Sequence, residues 1–335
     1  MGYKIGSFNV RNLSKNNGTN LDTIASIISG ERFDIVALQE VLDSGKILDG
    51  GMGRRVVGEA ASYENSLLRR LPGYEMRWGA SNVKKSSSAD ADKRGEGYAF
   101  LWNTRRIELA KHVTPSGIET FNPRIWSQYS LKRADAYQRL VRDPFYGRFK
   151  IKGMSQEIRL ITTHIYFGSN SALDFDLRKR ELNILAGAIY PRLHDKRYGV
   201  NTPSITVLLG DYNLNLKDSL AGYPYMEAVI IVDENGEVHT GMDIDNNKNI
   251  RTFTTRQSQL STLSKTGTEE SYSNNYDHIT VENTIGGTHR ANDAGAIVNP
   301  HAIKVCDLPT NISFNEYREK VSDHLPISVE LSLRD

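Results

Sequence analysis

One stretch constrains the fold of this chain more than any other. Thr206-Val207-Leu208-Leu209-Gly210-Asp211-Tyr212-Asn213 runs from β-branched and apolar residues into a glycine, and polar side chains follow at once. The apolar half predicts a strand buried on both faces. Gly210 marks a close backbone approach or a sharp exit from that strand. Asp211 and Asn213 stand two residues apart, so an extended backbone points both side chains the same way. A carboxylate and an amide leaving a buried strand together are one way to mount a polar site on a rigid scaffold. Taken alone, the same residues also read as a strand followed by an Asx turn. The first reading gains weight because the pattern recurs.

Residues 4–10 alternate as a strand and end in Phe8-Asn9-Val10-Arg11, which places Asn9 and Arg11 on one face. A helix follows, capped by Asn20 or Asp22, with Leu21, Ile24, Ile27 and Ile28 as its apolar stripe. Residues 34–41 form a second buried strand that ends in Glu40. A carboxylate there is costly unless a metal or a salt bridge compensates it. Residues 43–53 are glycine-rich and predict a loop, 56–71 a helix stopping before Pro72, and 81–96 a polar surface loop. Residues 96–102 begin a strand with 107–113 as its hairpin partner. Arg142-Asp143-Pro144 introduces a strand pair that ends in His164, a position suited to a hydrogen-bonded core histidine or to a catalyst. Residues 172–190 predict the clearest helix, with Pro191 beyond its end. Residues 233–273 are polar and predict no regular element. Strand character resumes at Tyr276-Asp277-His278-Ile279, and Val321-Ser322-Asp323-His324-Leu325-Pro326 leads into a final strand over 327–333.

A chain of 335 residues makes one large layered domain or two ordinary ones, and no composition break separates two. No apolar run approaches the roughly 18 residues of a transmembrane helix. Cys306 is the single cysteine, so no intrachain disulfide forms. With strand pattern beginning at Tyr3 and no secretory signal in view, a cytoplasmic location is expected, with secretion after removal of a signal as the alternative. A net charge of +2 identifies no partner. Residues 130–152, however, hold seven basic side chains against two acidic ones. Such a segment faces either a phosphate-bearing ligand or solvent.

Strand ends thus carry Asn9, Glu40, His164, Asp211, Asn213, Asp277, Asp323 and His324. Oxygen donors dominate and no thiolate takes part, which fits magnesium or manganese, or calcium as an alternative, better than structural zinc. Two histidines beside acids suit proton transfer near neutral pH. With arginines nearby, the set points to hydrolysis at phosphorus.

Six motifs stand in the order and approximate spacing of the endonuclease/exonuclease/phosphatase superfamily: Phe8-Asn9-Val10-Arg11, Leu38-Gln39-Glu40-Val41, Thr163-His164, Gly210-Asp211-Tyr212-Asn213, Tyr276-Asp277-His278-Ile279 and Ser322-Asp323-His324-Leu325-Pro326. Within it the chain most resembles deoxyribonuclease I-like nucleases, from about Tyr3 to Leu333. The resemblance implies one domain over residues 1–335, a four-layer α/β/β/α sandwich of two packed mixed sheets flanked by helices. Loop insertions are expected near 43–55, 81–95 and 233–273. Glu40 would be the principal metal ligand, with Asn9 and Asp323 holding or orienting the ion. Asp211 and Asn213 would contact the scissile phosphate or a second metal. His324, oriented by Asp277, would activate water, and His164, supported by Glu96, would serve the leaving oxygen. Arg11 and Arg142 would bind phosphates.

The implied activity is divalent-metal-dependent cleavage of the DNA backbone by a monomeric endonuclease. RNA or another phosphodiester is the alternative partner. The same superfamily includes inositol-phosphate phosphatases and sphingomyelinase-like enzymes, and a catalytically inactive binding protein is the reading from another class. The chain also departs from the nuclease pattern. Leu42 stands where a minor-groove arginine is usual, and Arg94 stands where a tyrosine precedes the histidine-supporting glutamate. Both departures concern the grip on duplex DNA.

Overall fold

The computed structural model describes residues 2–13, 19–42, 66–80, 96–126, 140–198, 203–215, 229–232, 238–240, 250–253, 260–266, 269–282, 297–298 and 303–332. The expected loops over 43–53 and 81–95, and most of the expected helix over 56–71, lie outside these residues. The described part of that helix is a single 3-10 turn, Leu68–Arg70.

Two mixed sheets carry the fold. In the first, neighbouring strands run Ile297–Val298, Ile327–Ser332, Gly2–Leu13, Ile35–Leu42, Glu96–Asn103 and Tyr74–Ala80, with Lys304–Val305 added beside Ile327–Ser332. Gly2–Leu13 and Ile35–Leu42 are parallel. In the second, Ser204–Asp211 lies between parallel Glu157–His164 and antiparallel Asp277–Glu282. Phe145–Ile151 and then Ile107–Leu109 extend one side. Every residue of Glu157–His164 and of Ser204–Asp211 is buried. This is why both segments read as unbroken apolar or β-branched runs rather than alternating ones.

The sheets pack face to face. Phe100 of the first stacks on Phe145 of the second at 5.0 Å and meets Phe149 edge-on at 5.4 Å. Helix Leu21–Gly30 turns Ile24, Ile27 and Ile28 into the core around the first sheet. Asn20 caps it by accepting from the Thr23 amide. Helix Phe314–Lys320 adds Tyr317 to the same core. Helix Ala172–Ile184 covers the second sheet through Leu182, in a cluster with Tyr146, Ile161 and Leu208. The result is the expected four-layer α/β/β/α sandwich. Among the described residues no helix is long and apolar enough to cross a membrane.

The structure corrects three local expectations. Ile107–Leu109 is not the hairpin partner of Glu96–Asn103; after the turn closed by Arg106 N–H on Asn103 O, it crosses to the second sheet and pairs with Phe145–Ile151. The long helix does not stop before Pro191. A π turn at Leu185–Ile189 interrupts it, and Tyr190–His194 continues with proline in its first turn, where a missing N–H is tolerated. The polar stretch over 233–273 contains strands Val238–Thr240, Ile250–Phe253, Leu263–Thr266 and Glu269–Tyr272. Backbone pairing stabilises them where the side-chain pattern gives no signal.

Candidate active site

The site forms where strands of both sheets end at one level. In the second sheet His164 pairs with Asp211, and Asp211 with Asp277. Gly210 makes this possible. Its φ is +148°, and a Cβ there would sit 2.0 Å from the Thr163 carbonyl oxygen. Only glycine lets the two backbones approach so closely. Gly210→Ala is expected to destabilise the fold by roughly 3 kcal/mol or more. A denaturant midpoint equal to wild type would refute that steric reading.

The first sheet supplies Asn9 and Glu40. The Asn9 side-chain amide donates to Glu40 Oε1 at 2.9 Å and to Asp211 Oδ2 at 3.0 Å, so one buried amide ties the sheets together. Glu40 Oε2 accepts from the Asn12 amide at 2.9 Å. Each carboxylate oxygen keeps a lone pair for another partner.

Two histidines face Asp211. His324 places Nδ1 2.8 Å from Asp277 Oδ2 and Nε2 3.5 Å from Asp211 Oδ2. His164 places Nδ1 2.9 Å from Glu96 Oε2 and Nε2 3.7 Å from Asp211 Oδ2. In both cases an acid lies beside Nδ1 and Nε2 faces Asp211. Arg142 completes this side, donating to Glu96 Oε1 at 2.7 Å and to the His164 carbonyl at 3.3 Å.

The electrostatics follow from this packing. Burial opposes charge on His324, but Asp277 and Asp211 outweigh it and push its pKa up to about 10. Burial and Arg142 oppose charge on His164, while Glu96, Asp211 and Glu40 raise its pKa overall. Burial raises Glu96, yet His164 and Arg142 bring it down to about 2. Burial raises Asp211 against the pull of both histidines. A raised histidine pKa stabilises the fold fully below its unfolded value near 6.5. That contribution declines as pH rises toward 10. In Asp277→Asn the His324 imidazole resonances, followed by NMR in the cation-free protein, should titrate well below their wild-type midpoint. An unchanged midpoint would remove Asp277 as the cause.

Other candidates occupy different surroundings. Asn213 does not project beside Asp211 as an extended residue would. Its φ is +51°, and its amide donates to the Ile165 carbonyl at 2.7 Å. Arg11, at φ +41°, likewise leaves the face of Asn9; it donates to the Arg318 carbonyl and lies 3.7 Å from Asp323. Of the basic segment, Arg142 reaches the site, whereas Arg148 is buried in an ion pair with Glu157 at 2.6 Å. Lys132, Arg133 and Arg139 lie outside the described residues.

Sequence reasoning missed Glu181. This buried residue of helix Ala172–Ile184 accepts from the Val141 amide at 2.8 Å and the Tyr166 amide at 3.4 Å. It thus braces the segments that carry Arg142 and His164. Burial pushes its carboxyl up to about 7. An acid one turn before Leu185, on the apolar side of a helix, was the available signal.

No protein-family model matches the chain, and no curated protein sequence matches it. Solved structures do. An endonuclease/exonuclease/phosphatase family protein from Bacteroides thetaiotaomicron is similar over 100% of this chain and 99% of its own, at 14% identity and TM-score 0.55. TDP2 from D. rerio, complexed with a single-strand DNA product, is similar over 99% of each chain, at 13% identity and TM-score 0.54. A mannosyl-6-phosphatase from Bacteroides thetaiotaomicron is similar over 99% of this chain and 100% of its own, at 15% identity and TM-score 0.51. The chain has the endonuclease/exonuclease/phosphatase fold. At these identities the likeness fixes the architecture, not the substrate.

Among the described residues no three His, Cys, Asp or Glu side chains form a ready-made metal cage. Magnesium does not need one, because it keeps several waters and takes one or two carboxylates together with substrate phosphate. Glu40, half-buried beside the Asn9 amide, fits that requirement.

Proposed function

We propose that this chain is a divalent-metal-dependent phosphodiesterase that cleaves the DNA backbone. The observation that carries the reading is the pair of acid-backed histidines on either side of Asp211, at 3.5 Å and 3.7 Å, with Asn9 linking Asp211 to Glu40. Magnesium or manganese held by Glu40, with Asn9 beside it and Asp323 as a further oxygen donor, would polarise a phosphoryl oxygen and offset its growing charge. His324 and His164 bring one Nε2 each to Asp211, which suits one to the attacking water and the other to the leaving oxygen. Asp277 and Glu96 hold the two rings in place. Arg142 contributes a cation beside His164 for a non-bridging phosphate oxygen. Asn213 and Glu181 steady the backbone at Ile165 and Tyr166.

A phosphomonoesterase is the second reading, favoured by the similarity to a mannosyl-6-phosphatase over nearly the whole chain. A test offers purified protein supercoiled plasmid, linear duplex, single-stranded DNA, RNA and sugar phosphates, each with magnesium, manganese or chelator. Metal-dependent strand cleavage supports the diesterase reading. Release of inorganic phosphate from sugar phosphates, with every nucleic acid left intact, overturns it in favour of the second.

A further inference from the structure

The rim beside His164 is aromatic as well as cationic. Tyr166, two residues beyond the catalytic strand, is 38% exposed. The Arg142 guanidinium lies 5.8 Å from its ring. The next residue, Phe167, meets Tyr276 at a ring-centroid distance of 6.2 Å. Tyr276 directly precedes Asp277, so both rings stand at the end of the second sheet where the histidines are. Buried Arg178 lies 4.8 Å from the Phe167 ring. Lys179 lies 4.9 Å from the neighbouring Phe175 ring.

Partly exposed aromatic rings beside the candidate histidines, with Arg142 next to Tyr166, match the base-stacking chemistry of an unpaired polynucleotide. Such a strand offers a stackable base on one side and a phosphate on the other at every step. Paired bases keep their faces inside the helix and give these rings nothing to cover. A sugar ring would engage one aromatic face but would leave the Phe167–Tyr276 pair unused.

Resting on the phosphodiesterase reading, we propose that Tyr166 and the Phe167–Tyr276 pair form a base-stacking platform that selects single-stranded or unpaired nucleic acid. The base next to the scissile phosphate stacks on Tyr166, and the next one meets the Phe167–Tyr276 pair.

The test measures kcat/KM on three substrates of one length: a single-stranded oligonucleotide, the same strand with abasic sites around the cleavage position, and the blunt duplex. Wild type should prefer the single strand over both others. Tyr166→Ala should lower the base-bearing to abasic ratio by about tenfold or more, the value of one stacked base. Tyr166→Trp should restore that ratio. Thermal midpoints of both variants are measured alongside, and because the base-bearing to abasic ratio is taken within each variant, a loss of stability alone leaves it unchanged, which separates stacking from folding. A ratio near one in wild type, a preference for duplex, or an unchanged ratio in Tyr166→Ala would each overturn the platform while leaving the diesterase reading in place. Absence of cleavage of all three substrates, with sugar phosphates hydrolysed, would overturn both.

Discussion

His324→Ala should lower kcat by about three orders of magnitude or more, because a positioned acid or base alone contributes on the order of a hundred- to ten-thousand-fold. The substitution also leaves Asp277 and Asp211, both buried, without the imidazole that lies between them. A loss of stability of a few kcal/mol is therefore expected as well. Circular dichroism and a thermal midpoint must accompany the assay, with His324→Gln as a companion that keeps a hydrogen-bond donor toward Asp277. Free imidazole should partly restore turnover to the alanine variant by occupying the vacated space. Wild-type turnover in a folded His324→Ala protein would remove this residue from the chemistry.

Glu40→Gln should act on the cation more than on the substrate. The replacement is nearly isosteric but has one carboxylate oxygen fewer for a hard cation. The magnesium concentration for half-maximal activity should rise about tenfold or more, on the scale seen when metal-site partners are altered. The substrate KM measured at saturating magnesium should change much less. Part of any stability loss would come from the Asn12 or Asn9 hydrogen bond, since one former acceptor becomes a donor. A magnesium titration that superimposes on wild type would place the ion elsewhere.

The sequence was legible wherever burial on both faces or a cap left a local signal. The strand carrying Glu40 and the strands ending in His164 and Asp211 carry such runs, and Asn20 marks a helix start. The site's finer geometry was hidden because reading faces from spacing assumes an extended backbone. Arg11, Asn12, Glu40 and Asn213 all have positive φ, so alternation fails at the strand ends that build the pocket. That is why Asn213 turns to Ile165 and Arg11 to Arg318. Glu181 was overlooked for a related reason. The acid on the apolar side of its helix marks it locally, but its role comes from two backbone amides distant in sequence. The buried Arg148–Glu157 pair likewise shows that a basic stretch is not a surface until the fold says so.

One small polar link sits between the sheets. Gln39 donates to Thr162 Oγ1 at 2.8 Å and to Ser7 Oγ at 3.1 Å, in a setting where all three residues are almost fully buried. Gln39 is the residue before Glu40, and Thr162 is two before His164. The link therefore works as an index pin, setting the carboxylate half of the pocket against the histidine half. Greasy layers alone can slide by fractions of an ångström at little cost, whereas a directional bond cannot. Replacing the trio with well-packed apolar residues would leave a protein as hard to unfold as before but out of alignment, and its loss would appear in turnover rather than in melting.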